Sequence, residues 1–319
     1  MNYGWQFYKN YYKPERDVKW HKDRTAENLQ LQDLLVEEED TDTVKKEKTA
    51  KQAAFFDRKN EKFKGVKTLE NNHFHQGKQQ ILLKTTYPGL LIGTGYGHET
   101  GLQGEMELGF FFDYTTGLPT LSGSSVKGTL RSCFPNFNTQ LPDLPSSDEE
   151  LKKKLNMKPN AIQLAKAKAF SLYTYFHEPN RDYATKPLEL KELDNKIIWL
   201  YAHKLELAIF EGLDVVGPFG KDTPQYLPMR EHDVFHDTYI SNIEKTLFEF
   251  DAITPHGKNP LKNPIPLAFL KVAPNVTFQF NFKLNDNGLS ACRKIELFKH
   301  LLLQQGIGAK TNVGYGQFQ

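Results

Sequence analysis

The chain has 319 residues, 39% of them hydrophobic and 25% charged, enough apolar material for one large core or two modest ones. Its 41 Lys and Arg residues against 39 Asp and Glu residues leave a formal charge of +2, which excludes the strongly basic balance of a protein that coats duplex DNA. Any nucleic-acid contact has to be local and helped by backbone amides.

Two cysteines, Cys133 and Cys292, exclude a disulfide framework and a C-x-x-C zinc site, and both fall at apolar positions of expected helices. The opening "MNYGWQFYKNYYK" lacks an apolar signal segment, and no run approaches the roughly 18 apolar residues needed to span a bilayer, so a soluble, cytoplasmic protein is expected. Residues 1–79 differ from the rest. They interleave aromatics with lysine (Trp5, Phe7, Tyr8, Lys9, Tyr11, Tyr12), a pattern that either stacks bases or docks on a partner, then enter a charge run that reads as a solvated helix or linker.

From residue 80 the pattern is that of a folded α+β unit, 80–319. "QQILLKTTY" reads as a first strand and "GEMELGFFFDY" as a second. "SSVKGTLRSCF" reads as a short helix capped by Ser124 or Ser125, with Val126, Leu130, Cys133 and Phe134 inward. Residues 136–230 form a largely helical insertion: "SSDEE" opens a charged helix, "AIQLAKAKAFSLYTYF" is helical, and "NKIIWLYAHKLELAIFEG" is helical by length although its apolar content also suits a strand. Four strand-like runs follow, "DVFHDTYIS", "KTLFEFDAITP", "PLAFLKVA" and "VTFQFNFKL". The last helix, "LSACRKIELFKHLLLQQ", carries Leu289, Cys292, Ile295, Phe298, Leu301 and Leu302 on one stripe and stops at Gly306. This order suggests an antiparallel, ferredoxin-like sheet with helices on one face.

Three segments are rich in glycine: "GTGYGHETG" (93–101), "SGSSVKG" (122–128) and "GIGAKTNVGYG" (306–316). Glycine lets backbone amides approach an anion closely. None is a nucleotide motif. "GIGAKT" has Ala309 ahead of Lys310 and follows a helix, which fails the P-loop pattern, and His98 stands where a dinucleotide fingerprint needs its third glycine. ATP, NAD and other cofactors are therefore not expected. The plain alternative is three tight turns; two of the three carry lysine, which favours anion binding.

"GLPTLSGSSVKGTLRS" resembles the Pro-x-x-x-Gly-Ser-Ser-x-Lys-Gly-x-x-Arg motif of the CRISPR repeat-associated RAMP proteins, and "GIGAKTNVGYGQF" resembles their C-terminal glycine-rich loop. "YGWQFYKNYY", "FDAITPH" and "NPIPLAFLKVAPNVTFQFNF" look like the sixth-named subunits of the type III-B Cmr effector complex. Leu121-Ser122 stands where the family has isoleucine-proline. The resemblance implies a ferredoxin-like RAMP fold in a ribonucleoprotein for RNA-guided defence, with crRNA and target RNA and neighbouring RAMP subunits as partners. It also implies a binding and capping role at the guide 3′ end, not catalysis. Carried onto this chain, Gly123, Ser124, Ser125, Lys127 and Arg131 match the helix motif, and Gly306, Gly308, Lys310, Thr311, Gly314 and Gly316 match the loop.

An RNA-binding set then comprises those residues other than Gly316, with Asn312, Tyr315 and, in the first glycine segment, Gly93, Gly95, Tyr96 and His98. Lys127 and Arg131, at i and i+4, are expected to point out above the helix start, with the C-terminal loop beside "SGSSVKG". Gly128 would let RNA or a neighbouring backbone close to the helix. Tyr96 and Tyr315 either stack on bases or pack against glycine. The alternative function is a RAMP endoribonuclease using His98. "EHDVFHD" (231–237) superficially suits a metal hydrolase, but on a strand its ligands diverge, so no metal site is expected. A mainly structural adaptor is the third reading.

Overall fold

The computed structural model describes residues 2–11, 36–37, 39–64, 79–93, 106, 109–137, 139, 144, 147–177, 195–214, 225–254 and 266–319. The alternation in "VTFQFNFK" sets the architecture. It forms β6 (Val276–Lys283), with Val276, Phe278, Phe280 and Phe282 on one face and Thr277, Gln279, Asn281 and Lys283 on the other. Strand β1 (Gln80–Lys84) pairs antiparallel along β6, Ile81 opposite Phe280 and Leu83 opposite Phe278. On the other side of β6 lie β2 (Val234–Phe235) and β3 (Tyr239–Ile243), also antiparallel, with a register shift between Ile240 and Asn242.

Residues 317–319 close the outer edge of β1: the Lys84 amide donates to the Gln319 carbonyl at 3.0 Å, and Thr85 bridges Phe318. The order across the sheet is thus the C-terminal segment, β1, β6, then β3 with β2. With α3 (Gly123–Ser132) after β1 and α7 (Ala291–Gln305) after β6, this is the βαββαβ pattern in 4-1-3-2 order, the expected ferredoxin-like α+β fold. Both helices cover the phenylalanine face through Val126, Leu130, Leu297, Phe298, Leu301 and Leu302, all buried.

Around this unit sit α1 (Tyr3–Trp5) with a π-helical turn (Gln6–Asn10), α2 (Asp42–Glu61), the helical insertion α4 (Asp148–Leu155), α5 (Pro159–His177) and α6 (Asn195–Phe210), and a hairpin of β4 (Phe248–Ile253) and β5 (Leu267–Val272). The run 195–210 resolves as helix.

Several expectations are corrected. The N-terminal aromatics Phe7 and Tyr11 are fully buried in the chain's own core, with Phe7 packed on Phe112 at 5.6 Å between ring centres and Tyr3 on Phe248 at 5.3 Å. They are not a free stacking surface, and residues from 1–79 share the core of 80–319. Within "GEMELGFFFDY" the described residues 109–113 form no ladder beyond a bridge from Phe112 to Pro119, because Phe110 and Phe112 pack into this aromatic cluster. The inward side of α7 is centred on Lys294, Leu297, Phe298, Leu301 and Leu302, which leaves Cys292 exposed and Ile295 half-buried; Cys133 is also only half-buried.

Lys294 is the exception to apolar burial. Its ammonium, with no exposed side-chain surface, meets Asp233 Oδ2 at 2.5 Å and the Asn285 carbonyl at 2.8 Å, and Asp233 Oδ1 accepts from the Asn285 amide at 2.8 Å. Removing one partner strands the other charge in a dry site. Asp233→Ala is therefore expected to cost about 3–5 kcal/mol in chemical denaturation, and the double variant Asp233→Ala with Lys294→Met to recover most of it.

Candidate nucleic-acid interface

Helix α3 begins two or three residues earlier than its serine pair suggests. Ser122 is the N-cap, its Oγ accepting from the Ser125 amide at 3.2 Å, so neither Ser124 nor Ser125 caps the helix. The next residue must be glycine: a Cβ on Gly123 would lie 2.1 Å from the Phe235 carbonyl oxygen of β2. At that close approach the Gly123 amide donates to Asp237 Oδ1 at 2.7 Å. A carboxylate of the chain itself thus occupies part of the positive helix end.

The two cations of α3 do not point out above the helix start. Lys127 donates to the Phe210 carbonyl at 2.9 Å, satisfying the last turn of α6, and lies 5.9 Å from the centre of the Phe235 ring. Arg131 donates to Glu206 Oε1 at 3.3 Å and pairs with Glu211. Glu206 is buried, and its Oε2 accepts from the Asn136 amide at 2.8 Å. Burial pushes its carboxyl above the usual carboxylate range, opposed by the Asn136 amide and the Arg131 charge. The i, i+4 spacing put both cations on one side; that the side faces α6 follows from where the insertion packs. Ser124 and Gly128 remain exposed, with nothing within 4 Å of the position of a Gly128 Cβ.

The C-terminal glycine loop is built separately. Past α7, the Ile307 amide donates to the Gly316 carbonyl at 3.0 Å, and Gly316, at φ +69°, would place a Cβ 1.9 Å from the Ile307 oxygen. The Ala309 amide reaches Leu91 O at 2.7 Å and the Gly316 amide reaches Gly89 O at 2.8 Å, while Gly93 abuts Ala309. The loop therefore interlaces with residues 89–93, not with Ser122–Gly128. The strand order explains this, because β1 ends and residues 317–319 begin at the same end of adjacent strands. Gly93 is brought to this site; Gly95, Tyr96 and His98 lie outside the described residues.

Tyr315 is buried here, its ring edge-on to Phe269 at 5.8 Å and its hydroxyl donating to Asp251 Oδ2 at 2.7 Å. Lys271 donates to the same oxygen at 2.8 Å. Tyr315 thus packs inward, against phenylalanine and not glycine. Burial pushes the Tyr315 hydroxyl up, and the Asp251 charge adds to it. For Asp251, burial acts upward, but Lys271, Tyr315 and the Ala252 amide outweigh it and hold the carboxyl below its usual range. With the loop so anchored, its tip stands out. Gly308, Lys310, Asn312 and Val313 are exposed, Thr311 is half-buried, Gly306 is buried, and Gly314 faces Pro88. Lys310 adopts left-handed backbone (φ +59°, ψ 36°), uncommon for a non-glycine residue, and its ammonium makes no ion pair among the described residues.

"EHDVFHD" disperses as the strand reading requires. Asp233 serves Lys294, His232 Nε2 lies 2.9 Å from the Leu227 carbonyl, His236 is exposed and Asp237 serves Gly123. Asp251 and Lys271 escaped sequence reasoning, and Asp237 was weighed only as a metal ligand, not as an acceptor at the α3 start. The one available signal was Glu249 and Asp251 on β4 alternating on the side where β5 brings Lys271.

The sequence profile of the RAMP superfamily matches residues 82–319, about three quarters of the chain. The chain belongs to the RAMP superfamily. The matched region of this RAMP chain holds α3, the insertion and the C-terminal loop, and begins inside β1. One curated relative, the CRISPR system CMR subunit Cmr6 of Saccharolobus solfataricus, is 34% identical over 91 residues, which is 27% of this chain and 31% of that protein. The match therefore spans under a third of that relative. Among solved structures, a cryo-EM structure of the Type III-B Cmr-beta bound to cognate target RNA shares 19% identity and covers 89% of this chain and 76% of the other, with a TM-score of 0.43. A crystal structure of Cmr6 from Pyrococcus furiosus shares 20% identity over 75% of this chain and 96% of the other, with a TM-score of 0.34.

A carboxyl held below its unfolded value contributes stability above that value and loses it as pH falls through the folded one. Acidification should therefore loosen the loop, seen as lower hydrogen-exchange protection factors at Gly314–Gly316, each rate taken relative to the intrinsic rate at that pH. Asp251→Asn should flatten that pH dependence, and Tyr315→Phe should cost about 1 kcal/mol by loss of one hydrogen bond.

Proposed function

We propose that the chain is a non-catalytic RNA-binding subunit of a type III-B CRISPR (Cmr) ribonucleoprotein in the cytoplasm. It holds the 3′ part of the guide RNA and contacts neighbouring RAMP subunits in the assembly that engages target RNA. The observation that carries this reading is the interlaced glycine loop: a turn hydrogen-bonded to residues 89–93 that keeps Lys310 exposed, in left-handed backbone, beside Gly308, Thr311 and Asn312. Membership of the RAMP superfamily and the name of the curated relative support it. No helix among the described residues is long and apolar enough to cross a membrane.

Phosphate contact falls to Lys310, with the exposed Asn312 side chain beside it, and strengthens binding without reading sequence. Ser124 and Gly128 leave α3 open to close approach. Lys127 and Arg131 serve the same interface indirectly, by holding α3 against α6.

The test is equilibrium binding of single-stranded guide RNA to the full chain at several salt concentrations. Lys310→Ala should weaken binding across sequences and flatten the plot of log affinity against log salt by about 0.7, one contact's share. Lys127→Ala with Arg131→Ala should lower the melting temperature first. Unchanged affinity and slope in the Lys310 variant would sink the reading, and cleavage of labelled RNA by the isolated chain, lost in His98→Ala, would overturn its non-catalytic part.

A further inference from the structure

Beside the C-terminal loop, at the end of the sheet, lies a cleft of about 410 Å³ whose walls include Thr86, Tyr87, Lys245, Thr246, Glu249 and Asn275. Tyr87 sits at its edge with 85% of its surface exposed. Exposure alone decides little, since Tyr114 and Met229 are as exposed and line no part of this cleft. What distinguishes Tyr87 is its mounting. It lies in a turn closed by the Gly89 amide on the Thr86 carbonyl at 2.7 Å. The Thr86 amide is tied to Gln317 O at 3.0 Å, and Gly89 O accepts from Gly316. The ring is therefore carried on backbone wired into the glycine loop, where a Cβ on Gly314 would meet Pro88 at 3.5 Å.

The cleft's polar groups are complementary to a nucleotide. Lys245, exposed in the β3–β4 connection, makes no ion pair among the described residues and is available to a phosphate. Thr86 and Thr246 already donate their hydroxyl protons to backbone carbonyls, at 3.2 and 3.3 Å, so they offer acceptors. Glu249, 3.5 Å from Lys271, is a further acceptor suited to the N–H edge of a base. A flat ring, one cation and several acceptors in a space of this size describe a site for one unpaired nucleotide.

We infer that this cleft binds a single unpaired RNA nucleotide, its base stacked on Tyr87 and its phosphate on Lys245, continuing the track of the C-terminal loop. The inference rests on the RNA-binding reading above.

Fluorescence anisotropy of labelled single-stranded RNA with the full chain tests it. Tyr87→Ala should bind about tenfold more weakly, the loss expected of one stacked base, with unchanged salt slope and melting temperature. Tyr87→Trp should keep the affinity, and its added indole should be quenched by RNA. Lys245→Ala should flatten the salt slope. If the wild-type chain binds RNA in a Lys310-dependent manner and Tyr87→Ala binds equally well, this inference falls and the functional reading stands. If Tyr87→Ala keeps RNA affinity but no longer co-purifies with partner RAMP subunits, the cleft is a protein dock and the inference is overturned. A wild-type chain that binds no RNA removes both.

Discussion

The seat that strand β2 offers to three helices is the constraint on which the rest of this structure depends. Within five residues, Asp233 neutralises Lys294 of α7, Phe235 stacks at 5.7 Å on Phe210 of α6 and lies 5.5 Å from Phe298 of α7, and Asp237 holds the first amide of α3. The close approach of Gly123 to the Phe235 carbonyl fixes the depth at which α3 sits. From that depth Lys127 and Arg131 reach the end of α6 and are engaged there. A segment whose histidines and carboxylates superficially suit a metal centre is instead the point where the helical layer is fastened to the sheet.

One consequence is a division between cations that build and cations, Lys245 and Lys310 among them, that make no ion pair among the described residues. Lys127, Arg131, Lys271 and Lys294 all satisfy carboxylates or carbonyls of the chain itself, two of them in nearly dry surroundings. A cation committed in this way is costly to withdraw toward a ligand, because its partner would be stranded. Lys310 has no such commitment, and its strained backbone persists because Tyr315, Gly316 and Ala309 over-determine the loop around it. The sheet topology then places the turn bearing Tyr87 at the same end, since both loops connect to adjacent strands.

Much of the fold was legible. The alternating phenylalanines of β6, the serines of "SSDEE" that open α4 and the glycine stop at Gly306 are local signals, and each acts where it is written. The glycine segments were legible as sites of close backbone approach. Their partners were not: the loop 306–316 and the turn after β1 are more than 200 residues apart, and pairing of residues 317–319 along the edge of β1 brings them together. Shorter but still non-local separations, 64 and 75 residues, hid Asp251 from Tyr315 and Glu206 from Arg131.

The alternation of β6, the helical runs and the glycine placement, each decided within a turn or a strand, were thus determined by the sequence alone, together with the ferredoxin-like order they imply, whereas the α3 cap and the buried side of α7 were fixed by packing. Which way a side chain's charge is spent was decided only by tertiary structure. Helical spacing puts Lys127 and Arg131 on one face, but whether that face meets solvent, RNA or α6 depends on contacts from residues about 80 positions away. Local propensity carries no information about such contacts; packing of the insertion against the sheet supplies it.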